Sequence, residues 1–196
     1  MNTEEIIVNH VEDQRRRFQL GKYPDIVEKK CNECVIDSFV FASVPGMWHE
    51  EINTQRLGIS EPFHRASLIE FYNNGNPIWY LVDPTYGQFF ENDIFKNYMF
   101  ENYNDFSVEL LNKGYVPCNF ENMLCYINGF VLSGAYAKDI NKDEVYKNLE
   151  QLLLSIYGSD REIMDTKKRL IELLKLRQQL LEQKNKEVVA NKGLNK

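Results

Sequence analysis

The sequence predicts an α+β fold in which a cysteine-bearing helix packs on a small antiparallel sheet and a helical extension follows. Two apolar runs, residues 66–71 and 78–82, flank Asn-Asn-Gly-Asn at 73–76, a pattern typical of a β-hairpin. Apolar residues recur at helical spacing on both sides of this hairpin. Residues 141–196 contain no Pro, Phe, Trp or Cys, and this composition favours helix in the C-terminal part.

Two helices are predicted before the hairpin. The first covers residues 3–20, and the second covers residues 31–44, where a wide apolar face ends at Pro45-Gly46. Residues 48–62 have no clear period, and we expect them to be irregular.

The hairpin runs are apolar on nearly every residue, so we expect them in the middle of the sheet with both faces buried. Residues 91–140 are predicted to form short helices and loops, with helices at 106–112 and 120–132. Residues 142–187 are predicted to be helical, with one break near 158–160.

Charge is divided unevenly along the chain. Residues 1–140 hold 11 Lys and Arg against 20 Asp and Glu, whereas residues 141–196 hold 12 against 9. Almost every aromatic residue also precedes Ile140. We therefore predict a globular domain over 1–140 and a helical extension over 141–196.

Composition excludes several classes of protein. Hydrophobic residues make up 43% of the chain, enough for a core, and no apolar run reaches the roughly 18 residues of a membrane span. The net charge of −6 argues against nucleic acid as a partner. The first residues lack the pattern of a signal peptide, so we expect a cytoplasmic protein, or one delivered into the cytoplasm of a host or target cell.

The predicted hairpin brings a histidine and a carboxylate together. If the turn is centred between Asn74 and Gly75, His64 lies opposite Thr85 and Asp83 is its diagonal neighbour on the same face. A turn centred one residue earlier places His64 directly opposite Asp83. With either register, Asp83 is expected to orient the imidazole and to stabilise its protonated form.

A histidine–carboxylate pair of this kind can activate a cysteine thiol as a nucleophile. Cys31 lies at the predicted start of the 31–44 helix and follows Lys29 and Lys30, and both features favour the thiolate. Cys34, one turn further into the helix, is the alternative nucleophile. Cys118 and Cys125 lie among apolar residues and are predicted to be packed thiols.

Other interpretations stay open. Cys31, Cys34, His49 and His64 could form a zinc site, although their spacing fits no compact zinc finger. A redox pair of Cys31 and Cys34 would need a strand before the helix, and none is predicted. Taken singly, His64 could be a buried structural histidine, and Asp83 could be a turn residue.

The order of cysteine, histidine and aspartate on helix, strand and strand resembles the transglutaminase-like branch of the papain-like cysteine enzymes. The likeness lies in Cys-Asn-Glu-Cys at 31–34, in the strand that follows His64, and in YLVDPTYGQF around Asp83. Bacterial glutamine deamidases and papain-fold toxins are also similar. The resemblance covers about residues 28–90 and implies a catalytic triad of Cys31, His64 and Asp83 that needs no metal or organic cofactor.

The predicted function is therefore thiol-dependent acyl transfer on an amide bond of a protein or peptide substrate. The first prediction is a protein glutamine deamidase or a transglutaminase, and the second is a cysteine peptidase. A different class, a non-enzymatic interaction protein, would use residues 160–187 as a partner helix or for self-association.

Overall fold

The structure is a computed structural model, and it describes residues 3–17, 48–73 and 76–157. The described residues form a mixed α+β fold with a four-stranded antiparallel sheet and several helices. The chain divides after Gln151 into two units. The predicted helix at 31–44 and the predicted helical residues after Tyr157 lie outside the described residues, and the predicted domain boundary after Ile140 stays a prediction.

The elements follow one another in a simple order. Helix α1 precedes a β1–β2–β3 meander, a 3-10 helix and helices α2 and α3 come next, and strand β4, helix α4, a short 3-10 helix and helix α5 complete the described chain. Their bounds are α1 Thr3–Arg17, β1 Trp48–Asn53, β2 Arg65–Asn73, β3 Asn76–Val82, the 3-10 helix Tyr86–Glu91, α2 Asp93–Asn102, α3 Asn104–Lys113, β4 Tyr115–Pro117, α4 Phe120–Leu132, the 3-10 helix Ala137–Asp139 and α5 Lys142–Tyr157.

The predicted hairpin is confirmed as the centre of the sheet. The strand order is β1-β2-β3-β4, so β2 and β3 each have a neighbour on both sides. Ser67 pairs with Val82, which is the register of a turn centred between residues 74 and 75. Leu68 and Ile69 point to opposite faces, and both are completely buried. Both faces of the sheet are therefore covered at this point.

Residues 48–62 are not irregular throughout, because β1 pairs with β2 from Trp48 to Asn53. Its sequence WHEEIN carries two glutamates and lacks the apolar run of a buried strand. This composition suits the edge of the sheet, where β1 lies. The three residues of β4 and the ten-residue helix α2 were also not predicted individually.

Helix α1 covers one face of the sheet. Ile7 and Val11 pack in a buried cluster with Ile69, Val82 and Tyr115. The helix spacing predicted for residues 3–20 is thus confirmed over the described part of that range. No described helix is both long enough and apolar enough to span a membrane.

The end of helix α3 links α1 to the C-terminal end of β3. Arg15 of α1 donates to the carbonyl oxygens of Leu111 and Asn112 at 2.7 and 2.6 Å, and these are acceptors that a helix end leaves open. Gly114 follows with φ of +76°, a conformation that glycine adopts readily. Its carbonyl oxygen accepts the backbone N–H of Asp83 at 2.8 Å. The helix end therefore fixes the residue that follows β3.

Candidate active site

His64 and Asp83 meet in a buried contact. His64 lies directly before β2 and Asp83 directly after β3, and His64 Nε2 is 2.6 Å from Asp83 Oδ2. Both side chains are almost completely buried, at 0% and 1% exposure. The predicted proximity of this imidazole and this carboxylate is confirmed. Their catalytic roles stay predictions.

Both oxygens of the Asp83 carboxylate have hydrogen-bond partners. Besides the imidazole, Oδ2 accepts the Tyr126 hydroxyl at 2.8 Å. Oδ1 accepts both the backbone N–H and the hydroxyl of Thr85, at 3.1 and 3.0 Å. Asp83 is therefore held in one orientation, with Oδ2 towards the histidine.

A threonine after β1 holds the backbone of His64. The backbone N–H of His64 donates to Thr54 Oγ1 at 2.9 Å, and the Thr54 N–H donates to the His64 carbonyl oxygen at 3.0 Å. The Thr54 hydroxyl also donates to the carbonyl of Pro62 at 2.8 Å. These bonds fix where the imidazole leaves the chain, just before β2 begins.

The imidazole packs between aromatic rings and a glutamine. Its ring meets Phe89 edge to face, with centroids 4.7 Å apart, and Phe130 lies at 6.5 Å. Its other nitrogen, Nδ1, is 3.3 Å from the amide nitrogen of Gln88. Because Asp83 engages Nε2, Nδ1 is the nitrogen through which His64 could exchange a proton with a reacting group.

The candidate nucleophiles Cys31 and Cys34 lie outside the described residues, so their predicted roles stay predictions. The other two cysteines form no disulfide among the described residues. Cys118 is buried, and burial together with the nearby Glu121 raises the pKa of the Cys125 thiol to about 12. Cys125 is therefore a neutral thiol at physiological pH, in agreement with its predicted packing role.

No group of three or more His, Cys, Asp or Glu side chains in residues 3–17, 48–73 and 76–157 is arranged to hold a metal ion. The zinc alternative combined Cys31, Cys34, His49 and His64, and its two cysteines lie outside the described residues. Within the described part of the chain, His64 of that set faces a carboxylate and an amide.

A second buried polar cluster uses the same helix. Asn128 of α4 accepts the Tyr146 hydroxyl at 2.8 Å and donates to the Tyr103 hydroxyl at 2.8 Å. We call these three residues the Asn128 cluster, and we call His64, Asp83, Thr85, Gln88 and Tyr126 the Asp83 cluster. Tyr126 and Asn128 are two positions apart on α4, so the helix presents them on different faces.

Sequence reasoning missed Tyr126, Thr54 and Gln88. Tyr126 is 43 residues from Asp83, and no local pattern predicts that contact. Gln88 had a local signal, because it follows Thr85 by three residues. In a short helix this spacing brings two side chains to the same side, and residues 86–91 form such a helix.

The chain was also compared with known proteins. No protein family, no curated protein and no solved structure matches it.

Proposed function

We propose that this protein is a thiol-dependent acyl-transfer enzyme that acts on amide bonds, with Cys31 as nucleophile, His64 as base and Asp83 as the group that orients the base. The proposed core is transglutaminase-like, with the helix at 31–44 packed on the described sheet. The substrate is a protein or peptide, and the reaction needs no metal or organic cofactor.

The buried contact between His64 and Asp83 is the observation that carries this proposal. A carboxylate at 2.6 Å from Nε2 favours the proton on that nitrogen and leaves Nδ1 to act as the base. The carboxylate is itself fixed by Thr85 and Tyr126, so the imidazole has one orientation. A histidine that served only packing could be satisfied by a single backbone carbonyl.

The proposed reaction has two halves. Nδ1 of His64 takes the proton of the Cys31 thiol as the sulfur attacks the amide carbon, and a carbon–sulfur bond forms. The tetrahedral intermediate collapses, the carbon–nitrogen bond breaks, and the proton passes from Nδ1 to the leaving nitrogen. Water or an amine then loses a proton to Nδ1 and attacks the thioester, and the thiol recovers that proton as the carbon–sulfur bond breaks.

The acyl acceptor and the leaving group determine which class of enzyme this is. Release of ammonia from glutamine with water as acceptor makes a deamidase, an amine acceptor makes a transglutaminase, and cleavage of a backbone amide makes a peptidase. The resemblance of residues 28–90 supports the first two over the third. The acidic character of residues 1–140 favours neutral or basic protein substrates, a preference that salt should weaken.

Selective labelling of the four cysteines tests the proposal. At pH 6, an iodoacetamide probe should modify Cys31 faster than free cysteine, because Nδ1 of His64 accepts the thiol proton as the sulfur attacks the probe. Cys125 is the internal control, since its thiol with a pKa of about 12 stays protonated. Peptide mapping by mass spectrometry reads out each site. The proposal fails if neither Cys31 nor Cys34 reacts faster than free cysteine.

The competing prediction is an interaction protein that uses residues 160–187, which lie outside the described residues. Two variants separate it from the enzyme. An enzyme loses its cellular effect in Cys31→Ala, and keeps its thiol reactivity when residues 160–196 are deleted. An interaction protein shows the reverse pattern, with its effect intact in Cys31→Ala and abolished by the deletion.

A further inference from the structure

Gln88 closes a ring of hydrogen bonds around the base. Its amide nitrogen lies 3.3 Å from Nδ1 of His64, 3.3 Å from the Thr85 hydroxyl oxygen and 3.0 Å from the Thr85 carbonyl oxygen. Thr85 in turn donates to Asp83, and Asp83 accepts from Nε2 of His64. Both imidazole nitrogens are therefore held within one ring of side chains.

The Thr85 carbonyl identifies which amide atom faces the histidine. A carbonyl oxygen can only accept hydrogen bonds, so the Gln88 atom at 3.0 Å from it must be the NH₂ group and not the amide oxygen. The same NH₂ group lies 3.3 Å from Nδ1, and it can donate there only when Nδ1 carries a lone pair. If Gln88 donates to Nδ1 while Asp83 accepts from Nε2, the imidazole is neutral and its proton lies on Nε2.

We propose that Gln88 is a positioning residue of the base, which keeps the resting imidazole of His64 neutral with its proton on Nε2 and gives up Nδ1 when a reacting group approaches. Protonation of Nδ1 would place an N–H opposite the amide N–H of Gln88, so the amide opposes the imidazolium. The contact is long for a hydrogen bond, and the amide keeps its shorter bond to Thr85 when Nδ1 is released.

The other groups around His64 act in a known direction. Asp83 favours the imidazolium from the end of β3, and Tyr126 of α4 moderates that effect by donating to the same carboxylate oxygen. Tyr86 is neutral, because burial and the nearby Asp83 raise its pKa well above the ordinary value. The guanidinium of Arg65, the next residue in the chain, lies over the Phe63 ring. Among the groups that the structure describes around His64, Gln88 opposes protonation at Nδ1 itself.

The inference deepens the proposed function, because a base at Nδ1 matters only if a thiol or substrate uses it. The effect of Gln88 on the protonation of His64 can still be tested without the nucleophile. We therefore choose Cys31→Ala protein as the background, in which no thiolate at position 31 contributes to the titration of His64. Failure of this inference then leaves the thiol-labelling experiment unaffected, and failure of that experiment leaves this one intact.

The experiment follows the His64 ring nitrogens by NMR as the pH changes. The chain has three histidines, and His10→Gln and His49→Gln variants assign the His64 signals. Gln88→Met removes the amide and keeps the side-chain length. We expect it to raise the measured pKa of His64 by about 0.5–1 unit, the effect of one weak hydrogen bond to the neutral form. Gln88→Glu should raise it further, because a carboxylate there favours the imidazolium.

Gln151→Met is the matched control, since Gln151 is exposed on α5 and should leave the titration of His64 unchanged. Circular dichroism checks that each variant is folded. In the parent, the ring-nitrogen shifts should identify Nε2 as the protonated nitrogen of the neutral form. The inference is overturned if Gln88→Met and Gln88→Glu both titrate like the parent, or if the parent carries the proton on Nδ1.

Discussion

The two buried polar clusters of this protein are built from similar parts and differ in charge. Each takes one side chain from helix α4, and in each a tyrosine hydroxyl donates at 2.8 Å to a side-chain oxygen. In the Asn128 cluster, an amide joins two phenols and every member is neutral. In the Asp83 cluster, a carboxylate faces a histidine whose second nitrogen is held by a long and easily broken contact.

This difference separates structural from chemical roles. The neutral Asn128 cluster can tie the chain around α4 together, but none of its members changes charge near pH 7. The Asp83 cluster contains an imidazole, which gains or loses a proton in that range, and a carboxylate that biases the position of the proton. Substitutions in both clusters should cost stability. Only substitutions in the Asp83 cluster should change thiol reactivity or the titration of His64.

The largest effect is expected for Asp83→Asn. An amide nitrogen would replace one carboxylate oxygen, so the bias that places the imidazole proton on Nε2 is lost. Cys31 should then return to the reactivity of an ordinary thiol. At pH 6, its alkylation rate should fall by at least about tenfold, measured by timed labelling and mass spectrometry.

Asn128→Leu is the matched variant from the other cluster. It removes two hydrogen bonds and leaves the Tyr103 and Tyr146 hydroxyls without their Asn128 partner. Its free energy of unfolding in urea should fall by about 1–3 kcal/mol, while the alkylation rate of Cys31 stays at the parent value. Equal losses of Cys31 reactivity in Asp83→Asn and Asn128→Leu would mean that the two clusters do not differ in role.

A smaller effect is expected when one tyrosine hydroxyl is removed from each cluster. Tyr146→Phe loses a neutral hydrogen bond and should cost about 0.5–1.5 kcal/mol, whereas Tyr126→Phe loses a bond to a carboxylate and should cost about 1.5–3 kcal/mol in urea unfolding. Tyr126→Phe should also raise the pKa of His64, because Asp83 with one donor fewer attracts the imidazolium more strongly. An NMR titration that moves equally in both variants would contradict this.

The smallest effect at neutral pH is expected for Tyr86→Phe. Tyr86 stacks on Tyr126, with ring centroids 5.3 Å apart, yet its buried hydroxyl has no hydrogen-bond partner within the described ranges. Its removal should leave the free energy of unfolding at pH 7 unchanged or raise it by up to about 1 kcal/mol.

At alkaline pH, the Tyr86 hydroxyl should change the free energy of unfolding. The pKa of Tyr86 is raised in the folded protein and stands near 10 in an unfolded chain, so above pH 10 only the unfolded state loses this proton. The contribution of Tyr86 is complete below pH 10 and is lost as the pH rises towards the folded value. In urea unfolding from pH 10 to 11, the parent should lose about 1 kcal/mol more than Tyr86→Phe. Parallel losses in the two proteins would show that Tyr86 ionises equally in both states.

Local patterns predicted the part of the site that depends on the hairpin. The Asn-Asn-Gly-Asn segment and its apolar flanks left two registers open, and both bring His64 and Asp83 to the same end of two strands. The structure has the register of a turn centred between residues 74 and 75. Strand β1 was missed because an edge strand needs few apolar residues. Tyr126 and Thr54 were missed because tertiary packing brings them to the site, and their sequence environment carries no sign of it.

The most direct test of the account is the pH dependence of Cys31 alkylation in the parent and in His64→Gln. We expect the parent rate to follow a thiol with a pKa below about 7.5. In His64→Gln, we expect this pKa to move to about 8.5, that of an ordinary cysteine. Identical profiles near 8.5 in both proteins would contradict the claim that the buried pair of His64 and Asp83 serves a reactive thiol.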